Sequence, residues 1–272
     1  MDEQNNQEDP IEEQIEEEEL GITDKMVGVL TEPSTFFKKI ANLPLKSSDW
    51  LIPLIIAIVI TMISSAIMMT NPAIKADMQE KQMKQVEKYF QEQVDKGAMT
   101  QAQADQIMDQ QAQRMEQGSG LQLTIAMISI PIIFFIVFFI IAGVYFLLSK
   151  FALKGDGTYK TTLSAYGLSY YVVIIQAIVI IIVAIALGKM LRDVSVGSLM
   201  GMDSETLGGW FMHRLDIFSI WLYSVISIAL AKMFKSENTL KYFIGVFGLW
   251  IGFSLLFHFV GKAVPFLKAF GL

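Results

Sequence analysis

The sequence predicts an all-α, polytopic membrane protein with about five transmembrane helices and one extramembrane helical hairpin. Hydrophobic residues make up 53% of the chain, and they are concentrated in long apolar runs, as is typical of membrane proteins. A polar, glutamine-rich stretch with helical periodicity separates the first run from the second. The chain contains no cysteine, which excludes disulfides, thiolate metal sites and cysteine nucleophiles.

The predicted spans are apolar runs of about the length that crosses a bilayer. The first would extend about 28 Å as a helix, close to the thickness of a hydrocarbon core. The second is longer than a bilayer needs, so it should tilt or project. The five spans are 51–69, 121–148, 168–187, 215–233 and 242–260.

The ends of the chain differ from this membrane domain, which is predicted over residues 25–262. Ten of the 27 acidic residues lie between Asp2 and Glu19. Residues 1–24 are therefore predicted to be a disordered acidic tail, because they bury too little apolar surface to offset their ordering entropy. The tail either keeps the chain soluble or docks on a basic partner. Residues 263–272 form a short C-terminal tail, and no basic stripe indicates nucleic-acid binding.

An amphipathic segment precedes the first span. A helix is predicted to begin near Pro33 and to lie in the membrane interface, with Phe36, Phe37 and Ile40 facing lipid. The alternative is a short linking helix packed on the bundle. Trp50, at the edge of the first span, is predicted to mark the membrane interface, which indole rings favour.

Residues 71–118 are predicted to form the extramembrane hairpin, inserted between the first and second spans. Asn71 followed by Pro72 favours a helix start, and Gly97 favours the end of that helix. A second helix is predicted to start at Thr100. The apolar stripe of the hairpin either packs the two helices together or serves partner binding or dimerisation.

The distribution of lysine predicts the orientation in the cell membrane. Three short segments carry three lysines each, and basic short loops favour the cytoplasmic side, although Lys189, Arg192, Arg214, Lys262 and Lys268 lie on the opposite side. The hairpin, on the opposite side, has six basic and eight acidic residues. The N-terminus is therefore predicted to be cytoplasmic and the C-terminus to lie on the other side. The lysines are Lys38, Lys39 and Lys46; Lys150, Lys154 and Lys160; and Lys232, Lys235 and Lys241.

Few polar groups are available for chemistry. His213 and Asp216, with Arg214 between them, are weak candidates for a metal or proton site; the alternative is a salt-bridged or solvated cluster at the membrane edge. Gln176 is predicted to hydrogen-bond to another helix. No zinc-protease motif, nucleophile elbow or phosphate loop occurs, so neither catalytic residues nor a cofactor are expected.

Glycines in the fifth span indicate close helix packing. Gly245, Gly248 and Gly252 share this helix, and the spacing of the last two residues lets helices approach closely. The packing is predicted to be internal to the bundle, with a dimer face as the alternative.

Two loose motifs accompany this order of helices. The first, Pro33–Ile40 (PSTFFKKI), precedes the first span, and the second, residues 155–163 (GDGTYKTTL), leads to Tyr166 and Tyr170. Over roughly residues 30–262 the pattern resembles the prokaryotic branch of the Yip domain family, named for Ypt/Rab-interacting proteins. The resemblance implies a five-helix membrane domain with a cytosolic N-terminus. In eukaryotes it implies vesicle trafficking at Golgi and endoplasmic reticulum membranes.

Three hypotheses of function remain open. The first is a non-enzymatic scaffold or adaptor in membrane organisation or trafficking, whose partners are the lipid bilayer and other membrane proteins or further copies of the chain. The second is a small-solute transporter or permease subunit, although no internal repeat is evident. The third is a membrane-embedded hydrolase that uses the cluster at His213 and Asp216.

Overall fold

A computed structural model describes residues 20–117 and 119–263 of the chain, and every regular element in these ranges is helical. The prediction of an all-α protein is therefore confirmed. A π-helical turn, Leu148–Ala152, follows α6. The helices are α1 (Ile22–Thr31), α2 (Pro33–Ile40), α3 (Ser48–Thr70), α4 (Pro72–Asp95), α5 (Gln101–Gln117), α6 (Ser119–Leu147), α7 (Tyr159–Leu168), α8 (Tyr170–Leu187), α9 (Val196–Met200), α10 (Leu207–Met212), α11 (Ile217–Met233) and α12 (Thr239–Ala263).

Four segments in the described ranges are long and apolar enough to cross a membrane. α11 is also apolar, and its 17 residues extend about 26 Å, at the short end of bilayer-spanning lengths. The polytopic character predicted from the sequence is confirmed, with four long spans and α11 as a shorter apolar helix. The four spans are Ser48–Thr70, Met127–Ala152, Tyr159–Leu187 and Thr239–Gly261.

The spans expose continuous apolar rows. On α3 and α6 the exposed large side chains recur every four residues, which places them along one side of each helix. Rows of this kind would be costly in water, but they are suited to lipid. They therefore indicate the bilayer-facing sides of the bundle. The rows are Ile55, Val59, Ile63 and Ile67 on α3, and Ile128, Ile132, Ile136 and Ile140 on α6.

An aromatic cluster fills the interior where α3, α6, α7 and α8 meet. The ring of Phe138 stacks between Trp50, at 5.6 Å, and Tyr166, at 5.1 Å. The hydroxyl groups of Tyr166 and Tyr170 lie 3.2 Å apart and satisfy one another. Trp50 stands in the first turn of α3 and is half-buried; its role as an interface marker stays a prediction.

α2 is packed against protein. Phe36, Phe37 and Ile40 are all buried in the hydrophobic core, with Phe37 fully inaccessible, and α2 contacts α11. The prediction that these side chains face lipid is wrong, and the alternative of a linking helix packed on the bundle describes α2 better. The physical reason is that an apolar stripe is satisfied equally by lipid and by a protein core.

The chain enters the bundle through α1, which begins at Ile22 and so includes the last three residues of the predicted tail. Residues 1–19 lie outside the described residues, as do 264–272 of the predicted C-terminal tail. Lys25 of α1 forms an ion pair with the nearly buried Asp49 at the start of α3, with 2.7 Å between Nζ and Oδ1. Asp49 Oδ2 also accepts a hydrogen bond from the Lys46 N–H at 2.8 Å. α1 is thereby fastened to the first span.

The bundle has two polar ends. The loop face carries the α6–α7 and α11–α12 connections and the start of α3. The hairpin face carries α4, α5 and the segment 188–216. On the hairpin face a small core of Ile74, Ala184 and Leu191 joins α4 to the end of α8 and the residues that follow it.

Candidate functional site

On the loop face the second motif, residues 155–163, lies where the α6–α7 connection contacts the α11–α12 connection. The Asp156 N–H donates to the Phe234 carbonyl at 3.0 Å, and Lys241 Nζ donates to the Leu153 carbonyl at 2.7 Å. Any side chain at Gly157 would place its Cβ 2.7 Å from the Phe234 ring. The glycine is therefore required by the close approach of the α11–α12 connection.

A cavity of about 360 Å³ opens beside this junction. Lys150 and Lys235 contribute two cations to its lining, and Asp156 contributes one carboxylate. The N-terminus of α7 borders it and is capped by Thr158, whose hydroxyl accepts from the Thr161 N–H at 3.3 Å. The lining of the cavity is partly polar and partly apolar, and the cavity is open at the end of the bundle on the loop face.

Asp216 is buried at the start of α11, and its carboxylate is used by that helix. It accepts hydrogen bonds from the N–H groups of Phe218, at 3.3 Å, and Ser219, at 3.1 Å. The Ser219 hydroxyl adds a third at 2.6 Å, and Gln176 Nε2 of α8 donates at 3.2 Å. Gln176 thus reaches across to α11, where it helps to satisfy a helix cap.

His213 belongs to a different group of residues. Its Nε2 lies 3.0 Å from the Met202 carbonyl, and its Nδ1 lies 3.3–3.4 Å from the hydroxyls of Ser195 and Ser198. The structure therefore does not bring His213 and Asp216 together in one site. Within residues 20–117 and 119–263, no three or more His, Asp or Glu side chains form a group that could hold a metal ion.

Asp193 organises this second group and was not among the residues predicted from the sequence. Both serine hydroxyls donate to Asp193 Oδ1, each at 2.5 Å. Burial raises the pKa of Asp193, but the hydrogen bonds from Ser195 and Ser198 outweigh it and hold that pKa below its ordinary value. The sequence carries only a local signal of this cluster, a serine that caps α9 two residues after Asp193, whereas His213 joins it only in the folded loop.

The cluster is built to fix a loop. In a serine nucleophile the hydroxyl proton passes to an imidazole that is oriented by a carboxylate. Here the hydroxyls of Ser195 and Ser198 donate directly to the carboxylate of Asp193, so their protons are not directed at His213. The arrangement holds α9 and the end of α10 together.

The glycines of α12 have different surroundings. A Cβ at Gly245 would lie 3.1 Å from Leu148, so this glycine packs inside the bundle. At Gly248 and Gly252 no atom of the described chain would lie within 4 Å, and both residues are exposed. Internal packing was therefore a wrong prediction for these two glycines, because their side of α12 points away from the bundle. The dimer-face alternative stays a prediction.

The hairpin is docked on the bundle along the first part of α4. The Met190 N–H donates to Asp77 at 2.8 Å, and Lys81 Nζ donates to the Met190 carbonyl at 3.2 Å. Lys88 forms an ion pair with Glu205 at 2.6 Å. Beyond Lys88, Tyr89 is 48% exposed, so the distal part of the hairpin presents an aromatic side chain at its surface.

These features define a polytopic α-helical membrane protein that carries a docked extramembrane hairpin. The family model of the Yip1 domain matches residues 27–260. The chain therefore belongs to the Yip1 domain family, which confirms the resemblance seen in its motifs. Comparisons with curated proteins and with solved structures gave no match.

Proposed function

We propose that the protein is a non-enzymatic scaffold or adaptor of the cell membrane, and that its hairpin contacts a second membrane protein. The exposed distal part of the hairpin carries this proposal. α4 and α5 pack on each other, with Ala104 buried between them, so the hairpin is a formed surface. Tyr89 and Ile107 remain exposed on it.

The polar groups of the bundle support a structural role. Gln176 and Asp216 satisfy a helix cap, and the hydroxyls around Asp193 hold a loop. Polar groups that hydrogen-bond one another in this way stabilise the fold. A catalytic or transport site, in contrast, has polar groups that are available to bind a substrate. The arrangement therefore favours the scaffold over the hydrolase and transporter hypotheses.

Photocrosslinking in native membranes tests the proposed contact. A photoreactive amino acid in place of Tyr89 should yield a discrete crosslink to one protein, and the same group in place of Ile107 should capture that same protein. The matched control is Ile132, which is 55% exposed in the α6 lipid row and should yield lipid adducts alone. Lipid adducts alone at all three positions, or solute uptake by reconstituted vesicles of the purified chain, would contradict the proposal.

We further propose that the loop face is cytoplasmic, in line with its lysines. Because the chain has no cysteine, single cysteines report accessibility cleanly. With an impermeant maleimide, Lys84→Cys on the hairpin should be labelled in intact cells. Lys235→Cys should be labelled only after the membrane is permeabilised. The reverse pattern would show that the loop face lies outside.

A further inference from the structure

Arg214 is a half-buried cation that forms no ion pair with any described residue. Its Nε is buried and makes no hydrogen bond, and no carboxylate in residues 20–117 or 119–263 forms an ion pair with it. Its guanidinium lies over the Trp210 ring, 5.8 Å from the centroid. Burial lowers the pKa of Arg214, but a guanidinium stays protonated in proteins. A half-buried permanent charge of this kind calls for a counter-ion.

Asp193 acts on Arg214 without direct contact. It exerts a favourable electrostatic effect on Arg214, but within the described residues its carboxylate forms no ion pair with the guanidinium, and its Oδ1 accepts the hydroxyl protons of Ser195 and Ser198. Asp216, two residues further along the chain, is saturated by the N-terminus of α11 and by Gln176. The guanidinium is therefore left for a group from outside the chain.

The position of Arg214 relative to the membrane indicates where an external anion would come from. Trp210 Nε1 donates to Ser254 Oγ of α12 at 3.0 Å. Ser254 lies about 22 Å along α12 from its start on the loop face, past the middle of the span Thr239–Gly261 and on the side of the hairpin face. Trp210 and Arg214 therefore lie on the side of the leaflet at the hairpin face, and an indole ring there favours the depth where headgroups meet acyl chains.

Two exposed apolar side chains lie close to this cation in sequence. Phe211 is 52% exposed and Ile217 is 72% exposed, and they flank Arg214 in sequence. A ligand that has acyl chains and an anionic headgroup could contact these apolar side chains and the half-buried guanidinium at the same time. Guanidinium groups also bind phosphate oxygens in a bidentate manner.

We propose that Arg214 and Trp210 form a binding site for the phosphodiester group of a membrane lipid in the leaflet on the hairpin face. The guanidinium donates to the phosphate oxygens, and the indole ring packs against the guanidinium. Phe211 and Ile217 contact the acyl chains of the same lipid. This site lies at the opposite end of the bundle from the lysines of the loop face.

Native mass spectrometry of the purified, delipidated full-length chain tests the site. Phosphatidylglycerol is titrated against a glucosyl diacylglycerol, which has similar chains but no phosphate. The wild-type chain should retain one tightly held phosphatidylglycerol, and Arg214→Gln should weaken that affinity about tenfold or more, as expected for the loss of charge-assisted hydrogen bonds. The matched control is Arg192→Gln, in the same segment but exposed, which should leave the affinity within about twofold.

Three results would overturn the proposal. The first is equal retention of the phosphate-free lipid by the wild-type chain. The second is equal weakening by Arg192→Gln and Arg214→Gln. The third is binding of inorganic phosphate with the same dependence on Arg214, which would assign the site to a soluble anion. If Arg214→Gln does not fold, Arg214→Lys keeps the charge without the planar fork, and it should still bind more weakly than the wild-type chain.

Discussion

Replacing Gly167 by alanine should lower the apparent midpoint of thermal unfolding in detergent by about 5 °C. Gly167 lies on α7 where it crosses α3, and a Cβ there would overlap the Cα and Cβ atoms of Trp50. The Cα is a backbone atom and the Cβ is bonded directly to it, so neither can rotate aside as the end of a flexible side chain can. Overpacking of this kind costs about 1–3 kcal/mol, and each 1 kcal/mol shifts the midpoint by about 2–4 °C in a chain of this size.

Gly143→Ala on α6 is the matched control. Within the described chain, no atom would lie within 4 Å of the added Cβ, and alanine favours a helix over glycine by about 1 kcal/mol. The midpoint of this variant should stay the same or rise. If both variants shift the midpoint equally, the contact between α7 and α3 is looser than the structure indicates.

Asp49→Ala should destabilise the protein by about 3 kcal/mol, the scale on which one partner of a buried ion pair is lost. Its side chain is only 6% exposed, and that of Lys25 is 17% exposed, so the variant leaves a cation with little access to water. It also removes the acceptor of the Lys46 N–H. Because Lys25 is the ionic link from α1 to α3, hydrogen exchange in α1 should accelerate strongly, together with a fall in the thermal midpoint.

Glu80→Ala is the control for this prediction. Glu80 pairs with Lys84 at 2.6 Å, but both side chains are more than 60% exposed, and exposed pairs of this kind contribute little. This variant should leave the midpoint and the exchange of α1 unchanged. Slow exchange of α1 in Asp49→Ala would mean that its apolar contacts alone hold the helix.

The sequence predicted the parts of the fold that follow from a single physical rule. Long apolar runs specify membrane spans, and Asn71 followed by Pro72 specified the start of α4, where the Asn71 side chain accepts from the N–H groups of Ala73 and Ile74. Gly97, predicted to end that helix, has a φ of 70°, a conformation that glycine adopts without strain. In these places the local residue type decides the local structure.

The sequence was ambiguous where lipid and protein compete for the same surface. Phe36 and Phe37 form an apolar stripe that either environment satisfies, and tertiary packing placed them against α11. Gly248 and Gly252 have a spacing that serves either internal packing or an outer face, and they lie on the outer face. His213 and Asp193 were separated by two short helices in the chain, so their common cluster required the folded loop to become visible.

The hairpin is docked on the bundle through only the first part of α4. The polar contacts from α4 to the segment after α8 lie between Asp77 and Lys88, whereas α4 continues to Asp95. Its 24 residues make a rod about 36 Å long, anchored along its first part. Removing turns beyond the anchor would shorten the rod and leave these polar contacts in place. If the hairpin contacts a second protein as proposed, the length of α4 beyond Lys88 sets how far from the docked part of the hairpin that contact can lie.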